Sequence, residues 1–192
     1  ARVSLAFIDA PAIALRRLAL NNCDVDAGSL LNLAIAPWSF EEFDISHGLL
    51  TGSPVRPLFV ALSRRADLRR LNVCNCGLNQ TSYKALVETS WPSLNSLNAS
   101  WAEPGRGLLG SVAAFAGFPM LEELDLSSTP QFGEDGARAL GRQRWVHLRR
   151  LDLFYCRIGD NGLAALARGE FPALEWLNLT SNELSLPVSL GD

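Results

Sequence analysis

Apolar residues recur along this chain in a pattern that repeats every 25 to 28 residues. The clearest copy, residues 148–158, reads L-x-x-L-x-L-x-x-C-x-I, and residues 174–184 repeat it with Asn in the Cys position. Seven copies start near residues 15, 40, 68, 94, 121, 148 and 174. Apolar and polar positions alternate within each copy, which predicts a short strand with one buried face.

The segments between these strands show the apolar spacing of helices. Those starting at Leu78, Phe132 and Ile158 align column by column, and each is expected to open with a polar capping residue. An aromatic residue then stands three positions before the next strand pattern, at Trp91, Phe118, Trp145 and Phe171. Each unit is therefore predicted to be one strand, one turn and one helix, with the tryptophans in the core between units.

One such unit cannot bury its leucine face alone, so neighbouring units must stack and share a core. The sequence predicts an α/β solenoid, a horseshoe arc of about seven strand–turn–helix repeats with a parallel concave sheet and convex helices. We expect residues 1–192 to form a single domain. Because the chain starts at Ala1 rather than Met, we also expect it to be a fragment of a longer protein.

This pattern resembles the leucine-rich repeats over about residues 11 to 186. Cysteine alternating with asparagine in one column resembles the cysteine-containing, ribonuclease-inhibitor-like subclass, as in the substrate domains of F-box proteins. The run Gly-Leu-Ala-Ala-Leu-Ala at 162–167 resembles the GALA-type repeats of bacterial effectors. The second repeat departs through extra residues around 51–57, and Gly48, Ala102 and Thr129 replace the Cys or Asn. The resemblance implies a binding domain.

In each strand, the residues beside the leucines should point onto the concave face. The large aromatics among them are concentrated toward the C-terminal half of the chain. Exposed aromatics and arginine are the residues that most often anchor interfaces. We therefore predict a partner-binding site of six residues: Trp101, Arg150, Asp152, Phe154, Tyr155 and Trp176. The alternative is that these rings pack against a C-terminal cap.

Two other concave columns could carry chemistry. Arg17, Arg70 and Arg150 share one column, but Glu42 and Glu123 interrupt it, so a solvated face of mixed sign is favoured over a phosphate track. An Asn/Asp column that includes Asp44, Asp125 and Asp152 is typical of an exposed sheet face. No Ser-His-Asp or Cys-His arrangement is supported, so we predict no enzyme activity and no catalytic residues.

The four cysteines are predicted to be free thiols. Cys23, Cys76 and Cys156 share one repeat column but lie two or three strands apart, beyond the roughly 7 Å that a disulfide allows. Free thiols favour an intracellular, cytoplasmic location over secretion. Three glycosylation sequons, at Asn79, Asn98 and Asn178, keep secretion open.

A glycine motif, Gly105-Arg-Gly107-Leu-Leu-Gly110, matches the dinucleotide-binding pattern but falls in register with the turns of other repeats. We interpret it as a repeat turn, because a lone fingerprint outside a doubly wound sheet is weak. With two histidines in the chain, converging metal ligands are not expected either. The prediction is therefore no cofactor and no metal.

Composition narrows the choice of partner. The net charge of −3 provides no cationic field for nucleic acid or anionic lipid, and no apolar run approaches the roughly 18 residues of a membrane span. We predict a non-catalytic protein–protein recognition module that binds a protein partner on its concave face and is monomeric in isolation. Two alternatives stay open: the substrate-recognition arm of a ubiquitin ligase or bacterial effector, and a scaffold subunit of a large assembly.

Overall fold

Each predicted strand start leads into a strand of one parallel sheet in the computed structural model, which describes residues 14–50, 55–103 and 115–185. Neighbouring strands pair in chain order from the first to the seventh. The strands are β1 (Ala14–Ala19), β2 (Ser39–Asp44), β3 (Arg70–Asn72), β4 (Ser96–Asn98), β5 (Glu123–Asp125), β6 (Arg150–Asp152) and β7 (Trp176–Asn178). The described helices are α1 (Ala27–Ile35), α2 (Val55–Ser63), α3 (Gln80–Glu88), α4 (Gly133–Gly141) and α5 (Gly159–Ala167). The predicted α/β leucine-rich-repeat architecture is confirmed.

The core is a set of ladders in which equivalent residues of successive repeats stack. Leu71, Leu97, Leu124 and Leu151 are paired partners in adjacent strands and are all buried. Behind the strands, the ring of Trp91 packs 6.4 Å from that of Phe118. The Trp91 and Trp145 indoles each donate a hydrogen bond to the carbonyl five residues earlier. The predicted place of the tryptophans between repeats is confirmed.

The polar cap predicted for α3, α4 and α5 occurs on α3 but not on the other two, and α1, for which no cap is predicted, also has one. Asp26 and Asn79 accept hydrogen bonds from the first backbone amides of α1 and α3. The cap positions of α4 and α5 are Phe132 and Ile158, without a side-chain bond, so that expectation is wrong there. The first amide of each of these helices donates instead to a carbonyl of the following repeat, at 2.9 and 3.0 Å. A backbone hydrogen bond to the next repeat therefore replaces the side-chain cap in these two helices.

Burial falls away at both ends of the sheet. Leu15 and Leu18 in β1 are half-buried, and Leu177 in β7 is 41% exposed although its paired neighbour Leu151 is 1% exposed. The repeat pattern placed Leu177 in the interior, and that placement is wrong. A ladder residue needs a neighbour on each side to be buried, and within the described residues β7 is paired on one side alone.

Candidate partner-binding face

The residues that alternate with the buried leucines form one face of the sheet, here called the open face. Strand pairing aligns its first column as Arg17, Glu42, Arg70, Ser96, Glu123, Arg150 and Trp176. It aligns the second as Ala19, Asp44, Asn72, Asn98, Asp125, Asp152 and Asn178. Both columns follow from the leucine spacing, because side chains alternate between the two faces of a strand.

The second column has a structural task that the sequence analysis missed. From β2 to β7, each Asn or Asp oxygen in it accepts a hydrogen bond from the backbone amide two residues later. At β6, Asp152 Oδ1 accepts from the Phe154 amide at 2.9 Å and from Asn178 Nδ2 at 3.1 Å. Such turns are what short Asn and Asp side chains favour. Asp152 therefore positions the backbone of Phe154, in addition to being one of the predicted partner-binding residues.

A further column, three residues after the second one, adopts a left-handed backbone in every repeat. Its members, with φ between 51° and 60°, are Asn22, His47, Asn75, Trp101, Ser128, Tyr155 and Ser181. This region suits Asn and Gly, whereas a bulky side chain there is strained by about 1 kcal/mol or more. The fold therefore holds the rings of Trp101 and Tyr155 at positions where Gly or Asn would be less strained.

Besides Asp152, the predicted site residues fall into three groups. Phe154 and Tyr155 form an exposed pair with ring centroids 6.2 Å apart, and they are 37% and 44% exposed. The Arg150 guanidinium lies over the Trp176 ring, 3.8 Å from its centroid, so each covers the other. Trp101 is exposed but stands two strands from Tyr155, roughly 10 Å away.

Charge is distributed unevenly over the open face. Near β1, Arg17 forms ion pairs with Glu42 at 3.0 Å and with Asp44 at 2.6 Å. Near β5 and β6, the carboxylates of Glu123, Asp125 and Asp152 line a cleft of about 210 Å³. Arg150 lines it too.

The two halves also differ in how they treat a buried carboxyl. Burial raises the pKa of Asp125, and neighbouring Asp152 raises it further against hydrogen bonds from Ser127. Burial also acts on Asp44, but hydrogen bonds from Ser46 and Arg17 outweigh it and lower the pKa of that carboxyl. Negative charge is therefore neutralised by ion pairs at the first end of the face, whereas in the cleft three carboxylates outnumber one guanidinium, that of Arg150.

The Cys/Asn column, which includes Cys76, Cys156 and Asn182, binds the backbone of the loops. Cys76 Sγ donates to the Ile45 carbonyl at 2.9 Å and Cys156 Sγ to the Leu126 carbonyl at 3.1 Å, each in the preceding repeat. Asn182 accepts from the Cys156 amide and donates to the Leu153 carbonyl. Burial raises the pKa of the Cys76 and Cys156 thiols to about 12. Cys23 departs from its column, since it is exposed.

Other candidate sites from the sequence find no support as ligand sites. All four cysteines are free thiols. No group of three His, Cys, Asp or Glu side chains in the described ranges could hold a metal ion. The glycine motif at 105–110 lies outside the described residues. Among the helices that the structure describes, none is long and apolar enough to cross a bilayer.

Comparison with known proteins adds a family match and a likeness to solved structures. A family model described as "Leucine Rich repeat" matches residues 119–141 and 146–167. A search of the curated proteins finds no relative that matches the chain. Among solved structures, the crystal structure of an internalin from Listeria monocytogenes aligns with a TM-score of 0.47 and 17% sequence identity. The alignment covers 86% of this chain and 48% of the internalin chain.

The assignment of the fold rests on three observations from this chain. The leucine pattern recurs seven times, the matched strands form one parallel sheet in chain order, and two adjacent repeats match the family model. Stacked repeats of this kind present extended surfaces on which proteins recognise other proteins. The chain folds as a leucine-rich-repeat solenoid, in which each repeat contributes one strand to a shared parallel sheet, and two of its repeats match the family model.

Proposed function

We propose that the C-terminal half of the open face is the concave recognition surface for a protein partner, with Phe154 and Tyr155 at its centre. The observation that carries this is the exposed pair of aromatic side chains, Phe154 and Tyr155, on the open face. Tyr155 is also held at a φ of 52°, where a bulky side chain reduces stability. Strained residues that the fold maintains cluster at functional sites.

The neighbouring residues would serve as the edge of this surface. Arg150 and Trp176 form a stack beside the pair. Asp152, at the end of β6, accepts a hydrogen bond from the Phe154 backbone amide and so fixes its position. Trp101 provides a second contact along the same left-handed column. Interface anchors are commonly aromatic or arginine residues surrounded by polar contacts that exclude water.

The test is a comparative pull-down with the chain and two alanine variants, followed by affinity measurement on the captured protein. Tyr155→Ala should weaken the partner's affinity about 30-fold, which corresponds to roughly 2 kcal/mol at an interface anchor. His47→Ala is the matched control, because His47 occupies the same left-handed column near β2. Melting temperatures of both variants should stay close to that of the parent chain.

Three results would overturn the proposal. Tyr155→Ala could lower the melting temperature and spare binding, which would make the ring structural. The two variants could weaken binding equally, which would place the contact elsewhere along the face. Binding could also resist both changes and depend on the helical side, as a scaffold role would require.

A further inference from the structure

We propose that the partner segment seated on this surface is extended and presents a lysine or arginine two positions from an apolar residue. The basic side chain would enter the cleft lined by Glu123, Asp125 and Asp152, and the apolar one would contact Phe154 and Tyr155. This inference rests on the proposed function and adds the chemistry of the ligand to it.

The first argument is the cation balance of the open face. Over the part of the chain that the structure describes, the ion pairs of this face join Arg17 to Glu42 and Asp44. Among residues 14–50, 55–103 and 115–185, no ion pair joins a cation to Glu123, Asp125 or Asp152. A cation from outside the chain would therefore meet carboxylates that have no competing ion pair, and complementary charge of this kind guides binding and register.

The second argument concerns Arg150, the cation closest to these carboxylates along the first column. Its guanidinium lies 3.8 Å from the centroid of the Trp176 ring, so it is turned toward β7. The positive charge of Arg150 acts to lower the pKa of Asp125, but burial outweighs it, so the pKa of that carboxyl is raised. The cleft therefore holds three carboxylates and one guanidinium, and that guanidinium lies against an aromatic ring instead of forming an ion pair with them.

The third argument is the spacing between the acidic and aromatic groups. Asp152 ends β6 and Phe154 lies two residues later in the following turn, so the two are at most about 7 Å apart at the rise of a β-strand. An extended peptide places side chains of one face at the same interval. A basic and an apolar residue at positions i and i+2 of such a peptide can thus reach the cleft and the aromatic pair together.

The carboxylates can accept a basic side chain without rearrangement of the strands. Glu123 Oε2 accepts a hydrogen bond from Ser96 Oγ at 3.0 Å, and Asp125 Oδ1 accepts from the Ser127 amide at 2.9 Å. These contacts orient the two carboxylates. Each also has a second oxygen, and a carboxylate can accept two parallel bonds from a guanidinium.

The experiment is selection of random heptapeptides displayed on phage, using the immobilised 192-residue chain as bait. The enriched peptides should carry Lys or Arg two positions from an aromatic or branched apolar residue. The same selection is repeated on the double variant Glu123→Gln/Asp125→Asn, which keeps amide oxygens for the Ser96 and Ser127 hydrogen bonds. Enrichment of the basic residue should be lost there.

A synthetic copy of an enriched peptide then gives the magnitude. Its Kd should rise about tenfold or more on the double variant, as it should when its basic residue is replaced by Gln. Glu42→Gln is the matched control, because Glu42 shares the column of Glu123 but is paired with Arg17. That variant should leave the Kd unchanged, and circular dichroism should show both variants folded.

The outcomes separate this inference from the function on which it rests. Enriched peptides that lack a basic residue but lose binding on Phe154→Ser/Tyr155→Asn would overturn the charge argument and keep the surface. Peptides that bind this aromatic variant as well as the parent chain would overturn both. A selection that enriches no sequence, or equal effects of Glu42→Gln and the double variant, would also overturn the inference.

Discussion

The leucine ladder offers a direct test of how stability is distributed along the sheet, using one substitution at two places. Leu151 and Leu177 are paired partners in β6 and β7, so they occupy the same position in successive repeats. Leu151 is 1% exposed and lies between Leu124 and Leu177, whereas Leu177 is 41% exposed. The two sites therefore differ in burial and in the number of stacked neighbours, while the chemistry of the change is identical.

The magnitude follows from that difference. Leu151→Ala removes a buried side chain and leaves a cavity enclosed on both sides, which costs about 3–4 kcal/mol. At Leu177 about two fifths of the side chain already meets solvent and no enclosed cavity forms. The loss there is the partial transfer term alone, about 1 kcal/mol. The free energy of unfolding should therefore fall by about 2–3 kcal/mol more for Leu151→Ala.

Urea denaturation followed by circular dichroism measures both values, and Leu124→Ala serves as an interior control. Leu124 is as buried as Leu151, so its variant should match Leu151→Ala. For a chain of this size each kcal/mol corresponds to about 2–4 °C in melting temperature. Equal losses at Leu151 and Leu177 would show that Leu177 is covered in solution. They would refute the account in which the leucine of the last described strand is partly exposed.

Two further predictions concern titratable groups. A thiol reagent should count four thiols in the denatured, unreduced protein, and a count of two or fewer would contradict this. In the native protein the reagent should react first with Cys23, because Cys23 is exposed. Asp125→Asn should raise the melting temperature at pH 7, because the folded state favours the protonated carboxyl, and the gain should vanish as the pH falls to the ordinary pKa of 3.8. Asp44→Asn should do the opposite at pH 7, because its lowered pKa stabilises the fold above 3.8 and that contribution is lost as the pH falls through the folded value. Thermal melts across this pH range would refute the charge assignment if both variants shifted in the same direction.

The repeat pattern by itself determined the architecture and the two columns of the open face. A period of about 26 residues with fixed leucine spacing leaves one register for each strand, because a shift by one residue would turn every leucine to solvent. The strand pairing accordingly aligns Glu42, Arg70 and Glu123 in one column, as the spacing predicts. The side chains of the Cys/Asn column also occupy equivalent positions in their repeats, where Cys76 and Asn182 donate hydrogen bonds to loop carbonyls.

Features that depend on neighbours beyond the repeat needed the tertiary structure. Leu177 has the same local sequence pattern as Leu151, and its exposure comes from its place at the end of the described sheet. The strained backbone of Tyr155 is similarly invisible in a pattern that records polarity but not φ.

The chemistry of the candidate site was also decided in three dimensions. Arg17 and Arg150 occupy equivalent positions, yet Arg17 neutralises two carboxylates and Arg150 stacks on Trp176. The sequence specifies which side chains share a column, because repeat spacing is local information. Which of them pair, and which keep an uncompensated charge, depends on distances across strands that the period alone does not contain.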